Sequence, residues 1–293
     1  MSFKTFLFCF IFSAHCFAAD RQVFTFINKN VNDEIRHSFT AKVLDLALER
    51  TKDEYGDYQI IPSKAGVTVG RLQLQMKERN DNYFYKVSIT DELLKDFHAI
   101  EFPIDRGIVS YRVGIINTKN VQLFKNVSNS EGLKKYLLIQ GQGWLDNDIF
   151  KHNGLTSFAV ATKRQCLDMI SLNRADIYFR GLSEISFDIK RHEKRGGKLN
   201  VQAEPYIALF YPMPKFLITA KTNIENANRV EEGLKRAYED GSFIKLWEEH
   251  NLRAIQSQNL NNRRVIVLEN PFIKSLNDAY KKYNYKIPGI LGL

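Results

Sequence analysis

The chain has 293 residues, a formal charge of +9, 44% hydrophobic residues and 26% charged residues. That length suits one large domain or two medium ones, and the composition excludes a disordered or collagen-like chain. The three cysteines, Cys9, Cys16 and Cys166, are too few for a disulfide-stapled fold or a four-thiolate zinc site. Residues 1–18 have the layout of a secretory signal peptide. Lys4 precedes the apolar run Thr5–Phe17, in which only His15 can carry charge, and the small residues Ala18 and Ala19 follow. The run falls short of the roughly 20 residues a membrane-spanning helix needs. Cleavage after Ala18, or alternatively after Ala19, is expected to release a soluble protein. It would also remove two of the three cysteines. Cys166 would then stand alone in a half-apolar helix, as a buried, inert thiol.

Val23–Asn28 reads as a strand rich in β-branched and aromatic residues. His37–Tyr55 reads as an amphipathic helix, with Phe39, Val43, Leu46 and Ala47 on one face. Tyr58–Pro62 is a strand, Thr68–Arg79 a helix and Tyr83–Ile89 a strand. Strands alternating with helices define an α/β layer with a largely parallel sheet. Gly107–Asn117 is then a long extended apolar run. Ser128 and Glu131 have capping-box spacing and predict a helix over Ser128–Tyr136. Tyr136–Gln140 is a strand ending in Gly141-Gln142-Gly143-Trp144, Arg164–Asn173 a helix and Ala175–Phe179 a strand. A second long apolar stretch, Tyr206–Tyr211 and Phe216–Thr219, is broken by Pro212 and Pro214. Thr222 and Glu225 repeat the capping-box spacing before a helix with Ile224, Ala227, Val230, Leu234 and Ala237 on one face, which Gly241 ends. Two extended segments bracketing a central α/β block give two connections between lobes, a layout that can hinge around a cleft.

Four runs carry a resemblance to a known family. They are VSITDELLKDFHAIEFPI (Val87–Ile104), LLIQGQGW (Leu137–Trp144), LDMISLNRADIYFRG (Leu167–Gly181) and VEEGLKRAYEDGSFIKLWEEH (Val230–His250). In order and spacing they resemble the family 3 solute-binding proteins of bacterial periplasms over about residues 20–250. The resemblance implies an α/β, two-lobed periplasmic-binding-protein-like fold (type 2) with two crossovers between lobes. The expected division is a signal peptide at 1–18, the first part of lobe 1 at 19–110, lobe 2 at 111–210, and 211–293 as the second part of lobe 1 with C-terminal helices. It further implies a periplasmic, non-enzymatic, monomeric receptor that closes on a small polar ligand and hands it to an ABC-type membrane permease. Two departures from the family matter. Amino-acid binders place an Arg three residues after the Thr of the first-lobe turn, where this chain has Leu93 after Thr90. They also place an Asp five residues after the Asp of the helix-to-strand element, where this chain has Gly181 after Asp176. Both halves of the α-amino-acid clamp are missing, which motivates a second reading: a sensor or interaction protein of the same fold, bound to a membrane kinase or cyclase.

The candidate ligand-binding residues are Arg106, Tyr111, Arg112, Gln142, Trp144, Arg180, Glu184 and Tyr211. Gly141-Gln142-Gly143 follows a strand and either presents backbone N–H groups to an anion or forms a plain turn. Trp144 either stacks on a ligand or fills core. Arg180 ends an apolar strand, where open α/β sheets bind ligands, and a guanidinium there suits a carboxylate, phosphate or sulfate. Its alternative is an interlobe salt bridge with Glu184. Arg106, Tyr111 and Arg112 lie at the first crossover. Arg112 is a charge inside an apolar run and needs either a ligand or a structural carboxylate. Tyr211, at the second crossover, either packs the hinge or touches ligand. No catalytic residue, cofactor or metal site is expected. The six histidines form no H-x-x-x-H or H-E-x-x-H, and G-x-S-x-G and Walker glycine loops are absent. The run Lys190–Lys198 holds five Lys or Arg against one Glu and reads as a solvated loop. Nucleic-acid binding is not expected, because no basic module with interleaved aromatics is present.

Overall fold

A computed structural model describes residues 22–26, 38–63, 69–78, 82–194 and 200–289. The proposed signal peptide lies outside the described residues. The chain builds two sheets. The first takes β1 (Gln22–Phe26), β2 (Tyr58–Pro62), β3 (Tyr83–Ser88), β4 (Phe97–Ile100) and β10 (Lys215–Ala220), in the order β2-β1-β3-β10-β4. β1 pairs parallel with β2 and β3, whereas β10 runs antiparallel to both β3 and β4. Between these strands lie the helices α1 (Phe39–Glu49), α2 (Lys52–Tyr55), α3 (Val69–Glu78) and α4 (Asp91–Asp96). The strand–helix alternation read from the N-terminal sequence is therefore the parallel half of this sheet.

The second sheet has six strands in the order β11-β9-β5-β8-β6-β7. They are β5 (Tyr111–Asn117), β6 (Leu138–Gly141), β7 (Ser157–Val160), β8 (Ile177–Gly181), β9 (Val201–Phe210) and β11 (Arg264–Val267). The helices α5 (Leu145–His152), α6 (Lys163–Ser171) and α7 (Ile185–Glu193) connect them. Every residue of β5 and of β8 is buried, which accounts for their nearly unbroken apolar runs. α6 holds Cys166 in the core, and burial pushes its thiol up to about 11, so it stays protonated and inert at neutral pH.

The two crossovers lie side by side. Residues 101–110 lead from β4 to β5, and residues 211–214 return from β9 to β10. The backbone N–H of Tyr211 donates to the carbonyl of Ser110 at 3.1 Å, and that of Met213 donates to Ser110 Oγ at 3.0 Å. After the return, α8 (Ile224–Glu239) and α9 (Ser242–Gln256) follow. Ala227, Val230, Leu234 and Ala237 of α8 are fully buried, while Ile224, expected on the same face, is exposed.

Four local expectations differ from the structure. The sequence places residues 211–293 in the first lobe, but the tail adds β11 to the edge of the second sheet, parallel to β9. It then returns to the first lobe, where Asp91 accepts from the N–H groups of Lys274 and Ser275. The predicted helix over Ser128–Tyr136 is a single 3-10 turn, Glu131–Leu133, because Asn129 rather than Ser128 accepts from the turn, at the N–H of Gly132. The N-cap position of α8 is Asn223 rather than Thr222, its side chain makes no capping bond, and the first helical residue is Ile224. The basic run Lys190–Lys198 begins inside α7, and its residues 195–199 lie outside the described residues.

Candidate functional site

A cleft of about 620 Å³ opens between the two sheets. Its first wall comes from the ends of β3 and β10, the start of α1 and the turn into α4. Its second wall comes from β5, β8 and the turns into α5, α6 and α7.

The second wall is a set of buried ion pairs. Arg112, on β5, donates from Nε to Tyr211 Oη at 3.0 Å and lies 3.0 Å from Asp146 Oδ1. Tyr211 Oη in turn donates to Asp146 Oδ1 at 2.5 Å. Burial works against the Arg112 charge, but Asp146, Tyr211 and Glu184 outweigh it and hold the guanidinium protonated. Arg180, at the end of β8, donates from Nε to Asp188 Oδ2 at 2.6 Å, and its Nη2 lies 3.3 Å from Glu184 Oε2. Glu184 is the N-cap residue of α7 and Asp188 lies in that helix's first turn, so one helix supplies both acids. Glu184 Oε2 also accepts from the N–H of Gly181 at 3.0 Å and lies 3.8 Å from Arg112 Nη1. Burial would raise the Glu184 pKa, but Arg180, Lys215, Arg112 and Lys163 hold it well below the usual carboxylate range. Arg180 also sits over the Trp144 ring at 4.7 Å. Trp144 can lie there because residue 141 is glycine: a Cβ at that position would come within 2.3 Å of the indole.

The first wall is built differently. Register places Lys215 opposite Ser88, and Lys86 lies two residues before Ser88, so all three leave one face of the sheet. Thr90 caps α4 by accepting from the N–H of Leu93 at 3.2 Å, and both residues line the cleft. Ser38 and Thr40 bring the start of α1 to the same wall.

The eight sequence-selected residues separate into three groups. Arg112, Trp144, Arg180 and Glu184 line the cleft together. Tyr211 is fully buried behind them as the partner of Arg112 and Asp146. Arg106, Tyr111 and Gln142 lie elsewhere. Arg106 donates from Nε to the carbonyl of Tyr283 at 3.1 Å and stacks on Trp247 at 4.9 Å, while Tyr111 packs on Phe210 at 4.8 Å. Gln142 sits in an exposed turn and donates its N–H to the carbonyl of Val160 at 2.8 Å. Arg112 therefore has its structural carboxylate, and the Arg180–Glu184 pair lies within one lobe rather than between two. Sequence reading passed over Lys86, Lys163, Lys215 and Asp188. The period-2 placement of Lys86 and Ser88, and the four-residue step from Glu184 to Asp188, were the available signals. Where amino-acid binders carry Asp, a Cβ on Gly181 would lie 3.0 Å from both Arg112 Nη1 and Glu184 Oε2, so a side chain there would require those two groups to shift by a few tenths of an ångström. Among the described residues, no group of three or more His, Cys, Asp or Glu side chains could hold a metal ion.

Two α/β lobes joined by paired crossovers around a polar cleft define the two-lobed, type 2 periplasmic-binding-protein-like fold, as the family 3 resemblance implies. Solved structures bear this out. YtmK of Bacillus subtilis, described as a probable amino-acid ABC transporter extracellular-binding protein, is 11% identical, with a TM-score of 0.58 over 79% of this chain and 99% of that chain. YckB of Bacillus subtilis is 16% identical, with a TM-score of 0.56 over 85% of this chain and 96% of that one. The VFT2 domain of BvgS from Bordetella pertussis is 13% identical, with a TM-score of 0.56 over 78% of this chain and 93% of that one. At these identities the likeness is one of fold. No protein-family model matches the chain, and no curated protein sequence does. Among the described residues, no helix is long and apolar enough to cross a membrane.

Proposed function

We propose that the protein is a periplasmic solute-binding protein that closes its two lobes on a small anionic ligand and delivers it to an ABC-type membrane permease. The observation that carries this reading is the cleft itself, where among the described residues Lys86, Arg112, Lys163, Arg180 and Lys215 line the walls with Asp146, Asp148 and Glu184. Such an excess of cations between two walls selects for negative charge. A non-catalytic role fits the chemistry, because the cleft's buried acids are committed to ion pairs and Glu184 is held ionised rather than poised near neutrality.

A thermal-shift screen of anionic and amino-acid-like solutes tests the proposal. At least one solute should raise the midpoint, since a ligand that binds only the folded state stabilises it. A folded protein indifferent to the whole set would sink the reading. The second reading, a sensor coupled to a membrane kinase or cyclase, draws support from the missing amino-acid clamp and from the likeness to the BvgS domain. Membrane pull-down separates the two: a permease partner supports transport, and a kinase partner without a permease supports sensing.

A further inference from the structure

Beyond the two crossovers, the tail makes two more passes between the lobes. The outward pass leaves α9, which packs on α1 and α8 of the first lobe, and ends in β11 on the second sheet. On the way Gln258 Nε2 donates to Ser186 Oγ of α7 at 3.5 Å. The return pass is residues 268–273, and each part of it is held by a different body. The second lobe holds the start. The N–H of Leu268 donates to the carbonyl of Phe210 at 2.8 Å, and Asn153 binds both the N–H and the carbonyl of Glu269, at 2.9 and 2.8 Å. The second crossover holds the middle, where Asn270 Nδ2 donates to the carbonyl of Pro212 at 2.7 Å. The first lobe holds the end. Asp91 accepts from the N–H groups of Lys274 and Ser275, both at 3.0 Å, and from Ser275 Oγ at 2.6 Å. Asp91 follows Thr90, which lines the cleft, so the return pass is tied to the first wall's own turn. Further on, Tyr280 packs edge-on against Phe216 of β10 at 5.4 Å, and the N–H of Tyr285 donates to the carbonyl of Arg106, in the first crossover, at 2.8 Å.

We infer that the tail is a strap across the hinge that limits how far the two lobes part. With two crossovers alone, opening is resisted only by the bending of two extended segments. In this chain the second sheet cannot move away from the α4 turn without also deforming residues 268–273. That segment has little slack. Pro271 fixes its own backbone, and Asn270 caps the 3-10 turn Pro271–Ile273 by accepting from the N–H of Phe272 at 3.0 Å. The ties to Pro212 and Arg106 fasten the tail to both crossovers, so the hinge segments and the strap move together. A cavity of about 490 Å³, lined in part by Phe210, Pro212, Ile273 and Tyr280, separates the return pass from the second crossover. The strap is therefore fastened at points rather than packed along the hinge, which leaves it room to flex. A receptor held near closure binds more tightly than one free to gape, because apparent affinity scales with the populated fraction of the competent form.

The test is double electron–electron resonance between nitroxides on Glu92 of α4 and Lys151 of α5, exposed positions on the two lobes. Ketone-bearing residues at these two positions carry the labels, so the cysteines stay untouched. No solute is added, so the result is independent of the transport reading, which the solute screen judges. Insertion of Gly-Ser-Gly-Ser between Ile273 and Lys274 keeps every anchor and adds up to about 13 Å of chain. It should broaden the distance distribution and lengthen its mean by about 5 Å or more, within that added reach. Asp91→Ala, which frees the end of the return pass while Tyr280 and Tyr285 stay docked, should lengthen the mean by less. A folded insertion variant, checked by circular dichroism, with the wild-type distribution overturns the inference. If the insertion does not fold, Asp91→Ala decides: a longer mean supports the strap and an unchanged one overturns it.

Discussion

The two walls of one cleft solve the problem of charge in opposite ways. The second wall buries its arginines and gives each a carboxylate, so its charges are structural: they hold β5, β8, α5 and α7 in register. The first wall carries two half-buried lysines, Lys86 and Lys215, with the deeply buried carboxylate of Asp105 behind them. Formal charge is thus a poor guide to where an anion goes.

Substitutions can break this contrast. The largest effect is expected from Arg112→Ala, which strands Asp146 and Tyr211 in the interior; urea unfolding should show a loss of about 3–5 kcal/mol. Gly141→Ala pushes a Cβ into the Trp144 ring and should cost about 1–3 kcal/mol, with a changed tryptophan emission as the ring leaves its place over the backbone. An unchanged emission would mean that Trp144 is not held there. Glu184→Gln acts through pH. The folded-state pKa of Glu184 lies below its unfolded value of about 4.3, so its stabilisation is present above that value and lost as pH falls through the folded pKa. The variant should be less stable than the wild type at neutral pH and lose less on acidification, as read from urea midpoints at the two ends of that range. Lys215→Met is expected to move stability by no more than about 0.5 kcal/mol. A loss as large as that of Arg112→Ala would erase the distinction between the walls.

Much of the fold was legible because the N-terminal strands and helices announce themselves by period. The apolar runs that became β5, β8 and β9 mark strands buried in the second sheet. β11 was not legible: four residues of tail carry little signal, and their partner β9 lies far back in the chain. Arg112 stood out because a charge within an apolar run must be compensated, and Asp146 compensates it. Arg106 stood out only by its place at the first crossover. Its destination between Trp247 and Tyr285 depends on a left-handed backbone at φ 51° and on a tail docking that no local pattern encodes. Arg180 and Glu184 were read as ligand groups or as each other's partners. The step to Asp188 that neutralises Arg180 needed only the helical repeat of α7.

The central claim is that both walls act on one ligand. Hydrogen exchange with and without a stabilising anionic solute tests it most directly. The account predicts added protection in residues 83–88 of the first wall, in residues 177–184 of the second and in both crossovers together. Protection confined to one lobe, with the crossovers unchanged, would contradict it.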